Sequence, residues 1–164
     1  MENFGQYNGS QNASSPENYK LKWHKFLIYF ALWASAVVNV GTAIMCIDGT
    51  INIYDGQNEL IVSNYSRLRT VLLIRGLVLL AIVAYTIYTR FQLAGFRVNA
   101  PRKLSIFYGL NLAASLLYLL AISSITHMTI SSLVGEIVMQ IFINILMIFI
   151  NQNYYSKRLE LFVN

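Results

Sequence analysis

Four long apolar segments constrain the fold of this 164-residue chain more than any other feature of its sequence. They cover about residues 26–47, 70–89, 104–124 and 129–151. As helices rising 1.5 Å per residue, they are long enough to cross the ~30 Å hydrocarbon core of a bilayer. Lipid offers no hydrogen bonds to an open backbone, so such segments cross membranes as helices. The sequence therefore predicts an all-α, integral membrane four-helix bundle.

The composition favours the same class. Hydrophobic residues make up 56% of the chain and charged residues only 12%, whereas soluble domains carry about 25% charged residues. The net charge of +5 arises from basic residues that flank the apolar segments, where they set membrane topology. We therefore expect the lipid bilayer as a partner and no nucleic acid.

One membrane domain is predicted over residues 20–156, between two polar tails. Residues 1–19 are rich in Asn, Gln, Ser and Gly, a composition that cannot offset the entropy cost of ordering, so a disordered tail is expected there. Residues 157–164 form the second tail. In the loop between the first two spans, Asp55-Gly56 lies between two β-prone runs and predicts a short hairpin.

Basic residues are distributed unequally between the two sides of the membrane. The opposite side holds only Arg67 and Arg69, and an excess of Lys and Arg marks the cytoplasmic side, so both termini are predicted to be cytoplasmic. The side that carries the termini holds nine basic residues: Lys20, Lys22, Lys25, Arg90, Arg97, Arg102, Lys103, Lys157 and Arg158.

The connector between spans 2 and 3, residues 90–103, contains four of these cations and no anion. Basic residues at the cytoplasmic surface attract anionic lipid headgroups, each by about 1 kcal/mol. Candidate contacts with anionic lipid are therefore Arg90, Arg97, Arg102 and Lys103.

The fourth span carries a polar stripe. Glu136, Gln140 and Asn144 are spaced four apart and therefore share one helix face. Lipid cannot satisfy such groups, so this face must meet protein or water. Together with amides in the first and third spans and a cation in the second, the stripe defines a candidate intramembrane polar site, composed of Arg75, Glu136, Gln140, Asn144, Asn39 and Asn111.

Arg75 and Glu136 are the two ionisable residues inside the spans, at similar depths of roughly 8–10 Å below the outer surface. We predict that they form a salt bridge, in which bidentate hydrogen bonds offset part of the burial cost. Adjacent glycines, Gly76 and Gly135, are expected to let helices approach closely. The pair either fixes helix packing or forms an ion, proton or substrate site. A third alternative is that Arg75 extends outward and pairs with nothing, or with Asp48.

The amides have the same two interpretations, interhelical packing or ligand contact. The sequence predicts no metal, cofactor or catalytic site. Cys46 has no second cysteine to pair with and is expected to be a buried, inert thiol. His24 is expected to be a solvated residue at the membrane interface.

Three functions compete at this stage. The first is a non-enzymatic scaffold, accessory subunit or regulator that binds partner membrane proteins or lipids. The second is an oligomeric transporter or channel that uses the Arg75 and Glu136 site. The third, an enzyme, is disfavoured because no HExxH, GxSxG or phosphate-binding loop occurs.

Two segments are similar to parts of small four-span bacterial membrane proteins: KFLIYFALW and RFQLAGFRVNAPRK. This resemblance covers the span region and implies a bacterial cytoplasmic membrane, but it implies no activity. Small multidrug transporters resemble the chain only in having four spans and one membrane glutamate, which lies in their first span. Quinone-linked disulfide-forming enzymes are four-helix bundles that need paired cysteines, which this chain lacks.

Overall fold

The computed structural model describes residues 21–51, 53–55, 58–60, 66–127 and 130–162. The tail predicted to be disordered, residues 1–19, lies outside these ranges. Within α4, defined below, the side chains of residues 130–133 and of Glu136 also lie outside the description, as do those of the two strands.

The chain is an all-α four-helix bundle, as the sequence predicts. The helices are α1 (Lys22–Asp48), α2 (Ser66–Ala94), α3 (Ala100–Thr126) and α4 (Ile130–Ser156). Within the described residues, all four are long and apolar enough to cross a membrane. Each corresponds to one predicted span, and all four extend beyond it at the end that faces the tails or the 90–103 connector.

Sequence signals account for two of the helix ends. Gly49, with φ of 79°, follows α1 in the left-handed conformation and donates its backbone N–H to the Met45 carbonyl over 3.0 Å. Glycine adopts this conformation without the steric penalty of a Cβ. Pro101 lies in the first turn of α3, where its missing N–H breaks no helical hydrogen bond.

Helix α1 contains one π-helical turn, Leu27–Ala31. The loop after α1 contains β1 (Ile53–Asp55) and β2 (Asn58–Leu60), which pair antiparallel with Asp55 opposite Asn58. The predicted hairpin is therefore confirmed, and its central residues, 56 and 57, lie outside the described ranges.

The helices pack in sequence order, α1 on α2, α2 on α3 and α3 on α4. Two buried clusters form at opposite ends of the bundle. The cluster nearer the chain termini includes Leu27, Leu32, Leu93, Leu104, Phe107 and Tyr155. The cluster at the opposite end consists of Cys46, Leu68, Leu72, Tyr118, Leu119 and Ile122.

Cys46 is completely buried, as predicted, and carries a free thiol. The prediction for the glycines is half right. A Cβ on Gly76 would lie 2.7 Å from Ile47 Cγ1 and 3.1 Å from the Ala43 carbonyl oxygen, so α1 and α2 do approach closely there. At Gly135 the prediction is wrong, because no described atom lies within 4 Å of the corresponding point.

Candidate functional site

A cavity of about 580 Å³ lies between the helices, and all four contribute to its lining. On α1 it extends from Ala31 to Thr42, which corresponds to about 16 Å along the helix axis. Most of the lining is apolar, and the polar part consists of amides, hydroxyls and one cation. The polar lining residues are Ser35, Asn39, Thr42, Arg75, Tyr108, Asn111, Ser115, Tyr118, Gln140 and Asn144.

Five of the six residues proposed for the intramembrane polar site line this cavity. They come from four different helices: Asn39, Arg75, Asn111, Gln140 and Asn144. The sixth, Glu136, lies one turn before Gln140 on α4, and its side chain is outside the described part of the structure. The salt bridge between Arg75 and Glu136 therefore stays a prediction.

Arg75 stacks on an aromatic ring in the cavity wall. Its guanidinium carbon lies 3.4 Å from the centroid of the Tyr118 ring, and Tyr118 is buried. A cation over the face of an aromatic ring is attracted by the ring quadrupole, more strongly when water is excluded. The contact joins α2 to α3, and no sequence spacing pointed to it.

Two of the amides use their donors within their own helix. Asn144 Nδ2 donates to the Gln140 carbonyl oxygen over 2.8 Å, and Asn111 Nδ2 donates to the Phe107 carbonyl oxygen over 3.4 Å. These two hydrogen bonds do not link helices. They satisfy donors that an apolar neighbour in the cavity would otherwise leave unpaired.

Asn151 is a polar residue of α4 that the sequence analysis missed. It is only 1% exposed. Its Oδ1 accepts a 3.0 Å hydrogen bond from Trp23 Nε1, and its Nδ2 donates to the Met147 carbonyl oxygen over 2.7 Å. It follows Asn144 by seven residues, the spacing that returns to the same helix face. Extending the polar stripe of α4 beyond Asn144 would therefore have identified it.

The prediction for His24 is wrong, because the ring is 3% exposed rather than solvated. Its Nδ1 lies 2.9 Å from the Tyr155 hydroxyl. The ring also stacks on Phe96 and meets Phe162 edge-on, with centroid distances of 4.9 and 6.1 Å. This contact joins the start of α1 to the end of α4, to the α2–α3 connector and to the residues that follow α4.

The four candidate lipid contacts divide into two groups. Arg97 and Arg102 are exposed. Arg90 Nε donates to the Ile28 carbonyl oxygen in the π-helical turn of α1 over 3.3 Å, and Lys103 Nζ lies 2.6 Å from the Tyr88 hydroxyl. Arg90 and Lys103 are therefore partly engaged by the protein, whereas Arg97 and Arg102 remain open to headgroups.

Over the residues that the structure describes, no group of three or more His, Cys, Asp or Glu residues could hold a metal ion. Comparisons with protein-family models, with curated proteins and with solved structures give no match. The cavity and its lining are therefore the main candidate for a functional site among the described residues.

Proposed function

We propose that this chain is a non-enzymatic binding protein of a membrane, which takes up a small amphiphilic molecule in the cavity between its helices. The observation that supports this proposal most is the cavity itself. Its volume of about 580 Å³ falls within the range of about 300–1,000 Å³ that is usual for small-molecule sites. Binding in this site would let the protein act as an accessory subunit or regulator.

The lining favours a molecule with both apolar and polar parts. Apolar side chains from α1, α2 and α3 lie among ten polar residues. In ligand sites, polar groups fix the orientation of the ligand and apolar walls supply burial. The apolar part of the lining includes Leu32, Val38, Val71, Ile74, Val78, Leu79 and Leu117.

Native mass spectrometry after gentle extraction from the source membrane tests the proposal. We expect an additional mass of one small molecule per chain on the wild type. In Ala114→Leu, which fills part of the lining, that mass should fall several-fold. The neighbouring variant Ala113→Leu adds the same volume at an exposed position and should retain it. Equal occupancy in both variants, or no bound mass in the wild type, would contradict the proposal.

The membrane setting is part of the same proposal. We infer an integral protein of a bacterial cytoplasmic membrane with both termini cytoplasmic, supported by the excess of basic residues on that side. The partners would be the bilayer and either a second copy or another membrane protein. The mass of the intact complex in the same experiment distinguishes these two partners.

An oligomeric transporter or channel is the second candidate. All four helices contribute polar residues to the cavity, including the charged Arg75. This favours transport, because polar groups in spans often mark ion or substrate pathways. Flux in proteoliposomes that is lost in Glu136→Gln would support transport. Flux equal to that of empty liposomes would exclude it and leave the binding proposal intact.

A further inference from the structure

We propose that the ligand of the cavity is an acidic amphiphile, whose carboxylate or phosphate group is bound by Arg75 and whose apolar part lies along the cavity toward Ala31 and Phe107. This inference rests on the proposed function and names the chemical class of its ligand.

The charge of the cavity lining favours an acidic ligand. Arg75 is the one charged side chain in the described lining, and no acidic residue belongs to that lining. A guanidinium inside a span is costly unless an anion or hydrogen-bond acceptors face it. An acidic group on the ligand would supply both the opposite charge and the acceptor oxygens, in competition with the Glu136 carboxylate that is predicted to pair with the same guanidinium.

The stacking geometry leaves Arg75 able to bind such a group. The guanidinium carbon lies over the face of the Tyr118 ring, 3.4 Å from the ring centroid. The N–H donors of arginine point outward in the plane of the group, where they match the two oxygens of a carboxylate or phosphate. A contact through the face of the tyrosine ring uses the charge of the guanidinium rather than its N–H groups, so these donors can still bind an acidic group.

Arg75 lies toward one end of the cavity. The next residue, Gly76, packs against Ala43 and Ile47, which places this level of α2 beside the Thr42 end of the α1 lining. The other end is formed by Ala31, Leu32 and Phe107. On α3, Phe107 precedes Tyr118 by eleven residues, or about 16 Å of helix. The cavity is thus charged at one end and mainly apolar at the other, separated by a distance that suits an extended chain.

The amides between the two ends do not exclude an apolar chain. Asn111 and Asn144 already donate to carbonyl oxygens of their own helices. An apolar chain beside them therefore does not strip these N–H groups of their partners. The preference for an acid depends on Arg75, the one cation of the described lining.

Photolabelling tests the inference on the full-length protein in nanodiscs of phosphatidylcholine. The probe is dodecanoate that carries a diazirine at the end of its chain, and the competitors are dodecanoate, dodecyl phosphate and dodecanol, which share one chain and differ in headgroup. In the wild type we expect labelling of peptides around Ala31 and Phe107. We expect both acids to compete at about tenfold lower concentration than dodecanol, the scale of a hydrogen bond to a charged group. The stronger of the two acids identifies a carboxylate or a phosphate ligand.

Substitutions locate the headgroup. Arg75→Gln should remove the tenfold advantage of the acids, Arg75→Lys should retain part of it, and Arg67→Gln, an exposed cation on the same helix, should leave it unchanged. If Arg75→Gln does not fold, the headgroup comparison in the wild type and the Arg75→Lys variant still decide the question.

The results separate the two proposals. If the cavity is labelled but the acids and dodecanol compete equally, the proposal of an acidic ligand would be overturned. The binding function would still stand, since any acyl chain of the bilayer would then fill the cavity. An acid advantage that persists in Arg75→Gln would overturn the role of Arg75. Absence of cavity labelling together with absence of a bound mass would overturn the binding function itself.

Discussion

At the scale of single residues, Gly76 sets how closely α1 and α2 can pack. The space for a Cβ is already taken by Ile47, 2.7 Å away, and by the Ala43 carbonyl oxygen, 3.1 Å away. Overpacking of this kind forces side chains off their preferred rotamers or shifts the backbone. The close packing of α1 on α2 at this level therefore depends on the absence of a side chain at Gly76.

We expect Gly76→Ala to destabilise the protein by about 1–3 kcal/mol, the usual cost of overpacking. Gly109→Ala is the matched control, because no described atom lies within 4 Å of its Cβ position, and it should gain about 0.5–1 kcal/mol from helix propensity. Reversible unfolding in detergent micelles measures both. Equal effects of the two substitutions would contradict the close approach.

The hydroxyl of Tyr155 gives a second prediction at this scale. It is 2.9 Å from His24 Nδ1, while His24 Nε2 is buried without a hydrogen-bond partner in the described chain. Tyr155→Phe should therefore leave the whole ring unpaired and reduce the free energy of unfolding by about 1–3 kcal/mol. Tyr154→Phe is the control, because its buried hydroxyl has no partner within the described residues. A larger loss in Tyr154→Phe than in Tyr155→Phe would refute this account.

Sequence reasoning placed some of these residues and missed others for a physical reason. The spacing of Gln140 and Asn144 gave the correct helix face, because residues four apart share a face in any helix. The burial of His24 depends on Phe96 and Phe162, which lie far along the chain. No local pattern encodes such a contact, so a histidine beside lysines resembled an interface residue.

At the scale of the helices, hydropathy and length were sufficient to predict four helices, and Asp55-Gly56 was sufficient for the hairpin. Their mutual arrangement was not predictable in the same way. Apolar residues cover most faces of each helix, since lipid surrounds the bundle, so periodicity does not reveal which face meets a neighbour. The cavity arises from this arrangement. The sequence therefore predicts its polar residues but not the cavity itself.

The predicted pairing of α2 with α4 through Arg75 and Glu136 belongs to this scale. If the salt bridge exists, Arg75→Glu or Glu136→Arg alone should each lower the yield of folded protein, because each leaves two like charges facing one another. The double variant should recover part of that loss. Gel filtration of the extracted protein measures the folded fraction. Damage that is strictly additive in the double variant would rule out the pair.

At the scale of the whole molecule, the account requires that both ends of the chain lie on the cytoplasmic side. Nine basic residues on that side against two on the other support this orientation. A reporter enzyme that is active only in the cytoplasm, fused after Asn164, should be active, and the same reporter inserted in the loop before Ser66 should be inactive. The opposite pattern would invert the topology.

The central claim is that a cavity with both apolar and polar lining, open to small molecules, lies among the spans. The most direct measurement is the reaction of single cysteines with a water-soluble thiol reagent in nanodiscs, on a Cys46→Ala background. Asn111→Cys, in the cavity lining, should react, because water in the cavity lets the thiolate form. Leu110→Cys, on the neighbouring exposed face, should stay unreactive in lipid, and dodecanoate should slow the reaction of Asn111→Cys. Two equally unreactive positions would show that no accessible cavity exists, and two equally reactive positions would show that this face is not in lipid.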